Sequence, residues 1–162
     1  MLIREVTIAD SSRIAEIYNH YIDNSVITFE TERITGDDMK SRILSLTEKG
    51  FPFLVAEQGG EVAGYCYAHE WKTKAAYSRT WETTIYLSHE SCHNGMGKIM
   101  MEKLIQISRE RGAHVLIACI TGDNTSSLHF HSSFGFQDVS HFHNVGYKHG
   151  RWLDVIDMEL QL

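Results

Sequence analysis

The chain has 162 residues, 43% of them hydrophobic and 22% charged, which excludes a disordered or fibrous polymer and suits one globular domain with a real core. Its formal charge is −6 at pH 7, so no broad basic face for nucleic acid or for a membrane surface is expected. Twelve glycines against one proline point to specific turns, and ten histidines raise the question of a metal or a catalytic role.

Residues 2–7 alternate enough to form a strand. Asp10 then offers an N-cap, and Ile14, Ile17, Tyr18 and Tyr21 follow at the spacing of a helix with one buried face. A second helix is predicted over 37–49. Thr35 and Asp38 read as a capping box, Met39, Ile43 and Leu46 as its apolar stripe, and Gly50 as its stop. The period then changes to two. Apolar runs at 53–56 and 62–67 flank Gln58-Gly59-Gly60, a hairpin signal. Residues 80–87 form a further strand, with Trp81, Thr83, Ile85 and Leu87 on one face and Glu82, Thr84 and Tyr86 on the other. A long helix follows over 95–111, with Met96, Met100, Leu104 and Ile107 inward and Gly112 as its end. Residues 114–120 are nearly all apolar, the type of strand buried on both faces. A helix at 124–133 closed by Gly135 and strands at 136–143 and 152–160 complete the chain. This order predicts a mixed α/β or α+β architecture with helices packed on a sheet.

Cys66, Cys92 and Cys119 are odd in number, widely spaced and form no CxxC pair, which predicts a reducing, cytoplasmic setting rather than a disulfide framework. The first residues are already charged and amphipathic, so no signal peptide is expected. No apolar run approaches the roughly 20 residues that span a bilayer.

The chemistry concentrates in two segments. In the first, the strand at 80–87 runs through Ser88-His89-Glu90-Ser91-Cys92-His93-Asn94 into Gly95-Met96-Gly97-Lys98 and the long helix. Helix-start N–H groups approached through glycines favour an anion, but a GxG before a helix also simply makes a tight turn. Neither the nucleoside-triphosphatase phosphate loop nor the GxGxxG dinucleotide pattern is present. The second segment runs from Asn124 to Phe136 and reads N-x-x-S-x-x-x-H-x-x-x-G-F, with Ser127, His131 and Gly135 at its fixed positions.

Together the two segments resemble the GNAT superfamily of acetyl-CoA-dependent N-acetyltransferases. Glu16-Ile17-Tyr18-Asn19-His20, Thr28-Phe29-Glu30-Thr31, Thr80-Trp81-Glu82 and the stretch from Gly146 to Asp154 are similar to its phosphinothricin acetyltransferase branch. The resemblance covers nearly the whole chain. It implies a mixed, largely antiparallel central sheet flanked by helices on both faces, and one N-acetyltransferase domain over 1–162. It also implies acetyl-CoA as co-substrate and a homodimer with the pocket near the interface. Two departures stand out. Cys92 and His93 replace the first two residues of the family's Arg/Gln-Gly-x-Gly-x-Gly loop, and Arg79 lies one residue later than the arginine of close relatives.

The implied reaction is direct attack of an amine on the thioester. It needs a proton acceptor, an oxyanion donor and an acid for the leaving thiolate. The resemblance assigns Glu82 as base and His131 beside the thiol, where a histidine can protonate the thiolate or relay the amine proton. Tyr86, Leu87, His93, Asn94, Gly95, Met96, Gly97, Lys98, Asn124 and Ser127 are the implied cofactor contacts. Phe29, Glu30, Lys72, Lys74, Tyr77, Arg79 and Lys148 are the implied acceptor contacts, whose cations suit the carboxylate or phosphinate of an amino-acid-like amine. A peptide or polyamine acceptor, or a non-catalytic acyl-CoA-binding module, is the alternative. His141 and His143 share one strand face, but no carboxylate or thiol stands at ligand spacing in the sequence, so no metal is expected. Cys92 has no identifiable base beside it and is not expected to act as a nucleophile.

Overall fold

The computed structural model describes residues 1–91 and 95–162. Its strands are β1 (Leu2–Glu5), β2 (Phe53–Gln58), β3 (Glu61–Glu70), β4 (Thr80–Leu87), β5 (Val115–Thr121), β6 (Gln137–Lys148) and β7 (Arg151–Gln161). They join in one sheet of order β1-β2-β3-β4-β5-β7-β6. Every neighbouring pair is antiparallel except β4 and β5, which run parallel. The helices are α1 (Ser11–Asn24), α2 (Gly36–Glu48), α3 (Met96–Glu110) and α4 (Thr125–Ser132).

The two faces of the sheet carry separate cores. On one, Leu54, Cys66, Ala68, Trp81, Leu116 and Ala118 pack against Met96, Met100, Met101 and Leu104 of α3. Those four α3 side chains are fully buried, and burial of each stabilises the fold by roughly 1.5–3 kcal/mol. On the other face, Phe53, Val55, Tyr65 and Tyr67 meet Ile14, Ile17 and Ile22 of α1 and Met39 and Ile43 of α2. The period-two alternation of β2 and β3 is what sends neighbours to opposite cores.

Local signals largely translate into the structure. The Thr35 hydroxyl accepts from the Asp38 N–H at 3.1 Å, and the Asp38 carboxylate accepts from the Thr35 N–H at 2.7 Å, a reciprocal cap for α2. Asp10 differs from expectation. It holds the N-cap position of α1 but makes no capping hydrogen bond to that helix; its carboxylate closes the short turn before it, accepting from the Thr7 N–H at 2.7 Å and from Arg4 at 2.8 and 2.9 Å. The strands at the C-terminal end also run longer than their apolar cores suggest. His149 (φ +49°) and Gly150 (φ +76°) form a two-residue turn between Lys148 and Arg151, and left-handed backbone at both positions matches the twist of a tight hairpin.

Two features create a cleft. The parallel pairing of β4 with β5 covers only Thr80–Val115, Trp81–Leu116 and Glu82–Ile117, after which the strands part. Beyond the core formed with β2 and β3, the adjoining face of β5 stays buried at Ile117 and Thr121 and opens only at Cys119 between them. Cys119 is therefore exposed in a strand expected to be buried on both sides.

Candidate active site

The parted strands open a cleft of two halves. One, of about 430 Å³, is lined among others by Phe29, Glu30, Arg42, Glu82, Cys119 and His131. The other, of about 450 Å³, is lined by Leu87, Gly95, Gly97, Lys98, Ser126 and Phe130. Ile27, Ile85, Tyr86, Asn124 and Ser127 border both, so the halves form one trough along the unpaired edge of β4. Such an edge accepts an extended, amide-containing chain as an added strand.

Glu82 lies on β4 opposite His69 of β3, whose Nε2 is 3.8 Å from its Oε1. Burial raises the Glu82 pKa; the neighbouring His69 and a hydrogen bond from Cys119 oppose this, and Asp157 reinforces it. A carboxylate so raised is a better proton acceptor for an amine than an exposed one. Cys119 on β5 lies in hydrogen-bonding range of both Glu82 and Asp157; although its side chain opens to the cleft, the surrounding protein partly desolvates the thiol and, with the two carboxylates, pushes its pKa up, so it stays a thiol.

His131 sits on the last turn of α4 and is buried, edge-on to Phe130 and Phe136 at 5.3 and 5.2 Å. Its Nδ1 is 2.9 Å from the Ser127 carbonyl. A carbonyl only accepts, so Nδ1 carries the hydrogen and Nε2 keeps its lone pair. Burial lowers the His131 pKa, against the raising effect of the Ser127 carbonyl. The ring is therefore suited to take up a proton and pass it on, rather than to stand as a preformed acid. Asn124 is the N-cap of α4, its Oδ1 accepting from the Ser127 N–H at 3.1 Å. It borders the cleft through this cap, not as a residue on the His131 face of the helix.

The implied cofactor contacts sort as follows. Tyr86, Leu87, Gly95, Gly97, Lys98, Asn124 and Ser127 line the trough. Met96 does not, because its side chain is fully buried in the α3 core. Cys92, His93 and Asn94 lie outside the described residues. Gly95 caps α3 with left-handed backbone (φ +81°), which an L side chain resists. A Cβ on Gly97 would meet Leu87 and Phe130 only at 3.5 and 3.6 Å, so internal packing does not demand glycine there. A site for a ligand approaching the start of α3 does. The glycines, the helix start, Lys98 and the open strand edge thus fit a long phosphorylated, amide-containing cofactor.

The acceptor residues divide more sharply. Phe29 and Glu30 line the cleft. Phe29 lies directly over Gly146, where an added Cβ would come within 2.2 Å of the ring. Lys72, Lys74, Tyr77 and Arg79 line neither half. The connection after β3 instead packs on itself, Lys72 Nζ standing 4.0 Å over the Trp71 ring and Tyr77 meeting Trp71 edge-on. Lys148 is buried and spends its ammonium on the Thr28 carbonyl at 2.9 Å, holding the loop of Phe29 and Glu30 from beneath. Among the described residues, the lysine or arginine that lines the half with Glu82 is Arg42 of α2, bonded to Glu30 at 3.0 Å and 5.5 Å from the Tyr18 ring centre. Arg42 belongs to no motif. Its only signal is its place in the stripe with Met39 and Leu46, three and four residues away on an inward face.

An acetyltransferase (GNAT) domain model matches residues 3–156. The chain belongs to the GNAT acetyltransferase family. It is an N-acetyltransferase of the acetyl-CoA-dependent class. It is 35% identical over 162 residues to the L-amino acid N-acyltransferase MnaT of Escherichia coli, covering 100% of this chain and 94% of that one. It is 36% identical to a phosphinothricin N-acetyltransferase of Streptomyces viridochromogenes, covering 94% and 83%. Among solved structures, a GNAT phosphinothricin acetyltransferase from Sinorhizobium meliloti in complex with acetyl-CoA superposes with a TM-score of 0.96 at 34% identity, covering 99% and 88% of the two chains.

Proposed function

We propose that this acetyltransferase moves the acetyl group of acetyl-CoA directly to the α-amino group of a small amino-acid-like acid, of the phosphinothricin, methionine sulfoximine or methionine sulfone type. Acetyl-CoA supplies the activated acyl thioester. Glu82 accepts the proton that turns the acceptor's ammonium into an amine, directly or through one water; after attack, Nε2 of His131 takes the second proton from that nitrogen and gives it to the departing sulfur. Arg42 holds the acceptor's carboxylate by a charge-assisted pair, and Glu30 keeps the guanidinium aimed into the cleft. The single observation that carries this reading is that a proton-accepting Glu82, a neutral His131 and a cation at Arg42 converge on one cleft from β4, α4 and α2. The relatives named for L-amino acid, phosphinothricin and methionine sulfoximine acylation support the acceptor class. One continuous sheet that includes both the first and the last strand supports a single N-acetyltransferase domain over 1–162.

A homodimer in the cytoplasm completes the reading. Val139, Phe142, Val145, Tyr147 and Trp152 are each at least half exposed and lie on β6 and β7, where β6 is also one of the two edge strands of the sheet. Exposed apolar surface beside an unpaired strand is what a second copy covers. Cys66 and Cys119 are unbridged, as a reducing compartment allows.

The test is thiol release from acetyl-CoA over a panel of amino-acid analogues, polyamines and short peptides. Methionine sulfoximine is expected to be acetylated. Glu82→Gln should lower kcat/KM by about 10²-fold or more while acetyl-CoA binding stays within a few-fold. Arg42→Gln should raise KM for the free acid at least tenfold and leave KM for its amide nearly unchanged. Selective turnover of polyamines would overturn the acceptor assignment, and no turnover of any amine would overturn the mechanism.

A further inference from the structure

We propose that His141, His143 and Asp154 form a binding site for a divalent transition-metal ion of the zinc class, on the β6–β7 ribbon and apart from the acetyl-transfer cleft. Register is what builds it. β6 pairs with β7 at Phe142–Val155 and resumes at Gly146–Leu153, so residues 143–145 stand opposite Asp154 alone. This bulge requires left-handed backbone at Asn144 (φ +53°), which a non-glycine residue adopts at a cost. It wraps the chain around one carboxylate. The Asn144 N–H donates to Asp154 Oδ1 at 2.9 Å, leaving Oδ2 between His141 Nε2 at 2.8 Å and His143 Nδ1 at 3.2 Å. The two rings stand 4.1 Å apart, and one ligand atom from each of the three residues lies within 4.8 Å of the other two.

The two nitrogen–carboxylate spacings suit an ion, and the exposed histidine rings need only a small rotation to close on it. With metal–ligand bonds of about 2.05 Å, neighbouring ligands in octahedral or tetrahedral geometry stand roughly 2.9–3.4 Å apart. Two imidazoles with one carboxylate match zinc, nickel or copper rather than calcium or magnesium, which take mainly oxygen. Binding replaces two N–H···O contacts by two nitrogen–metal bonds, each imidazole presenting its lone pair and keeping its hydrogen on the other nitrogen. His141 and His143 are 47% and 70% exposed, so water can complete the shell. Behind the carboxylate, Gly122 lies so close that a Cβ there would sit 3.0 Å from the Asp154 Cβ, and its N–H bonds the Asp154 carbonyl at 2.9 Å.

The site is separate from the reaction. His141 pairs with Ile156, which packs on the α3 side of the sheet, and Asp154 shares that face by alternation. Val155, between them in β7, points the other way and lines the cleft with Glu82.

Calorimetric titration of chelator-treated full-length protein with Zn²⁺ tests the proposal, alongside the visible spectrum of the Co²⁺ form. Saturable binding is expected, with affinity falling at least tenfold in His141→Ala and again in His143→Ala, and with thiol release from acetyl-CoA unchanged in both. Asp154→Asn is expected to weaken binding as well, but the bulge depends on that carboxylate, so the two exposed histidines carry the test. Absence of saturable binding, or binding of undiminished affinity in the double histidine variant, would overturn it.

Discussion

The thiol of Cys119 sits between two carboxylates at the floor of the cleft, and its hydrogen bond is one of the influences that hold the Glu82 pKa down against burial. Removing the donor should let that pKa rise further. Because the base must be ionised to accept a proton, activity grows as pH climbs through its pKa. Cys119→Val is therefore expected to move the acidic limb of the kcat/KM profile to higher pH, and Cys119→Ser, which keeps a donor, should leave it near wild type. Equal profiles for all three proteins would show that the thiol does not govern Glu82. Glu82 and His131 were legible in the sequence because motif and strand alternation pointed to them. Arg42 and Cys119 were not. Nothing local distinguishes an arginine that flanks an apolar stripe from one on a solvated face, and β5 reads as buried on both sides, its opening at Cys119 being set by tertiary packing.

At the scale of elements, the Arg4–Asp10 pair ties β1 to the start of α1 across a short turn. Chiefly through its hydrogen bonds to Arg4, Asp10 has its pKa lowered from 3.8 to about 2 despite burial. A depressed carboxyl pKa contributes stability that is present above the unfolded value near 3.8 and is lost as pH falls toward 2. Asp10→Asn should accordingly lower stability by about 2 kcal/mol near neutral pH, as loss of a charge-assisted bond with a buried partner does. The difference from wild type should shrink between pH 4 and 2, as denaturant unfolding at several pH values would read. The sequence marked Asp10 as a cap, which was right about its place beside a helix start and wrong about its partner. The guanidinium that claims it comes from the preceding strand.

For the whole molecule, the apolar residues left on β6 and β7 set the expectation of a second copy. Charged replacements at the two most exposed of these positions, Tyr147→Glu with Trp152→Glu, should convert a dimer to a monomer in light scattering coupled to size exclusion. A wild-type monomer at assay concentration would rule the dimer out. Among the described residues no helix is long and apolar enough to cross a membrane.

Periodicity, capping boxes and glycine punctuation determined the order of the helices and strands and most of their ends to within one or two residues, since these signals act over one or two turns of chain; β3 and β6 run three and five residues past their expected ends. The two motif segments determined the family, since a loop that opens a helix and a capped helix bearing a histidine are local objects. What only the tertiary structure decided are the relations between distant segments. The parting of β4 from β5 after three pairs makes the trough, and α2 delivers Arg42 to an acceptor site that the lysines at 72 and 74 do not reach. A three-residue bulge in β6 brings Asp154 to His141 and His143 across 11 to 13 residues of sequence. Strand register and helix reach are fixed by long-range packing, and spacing along the chain does not carry them.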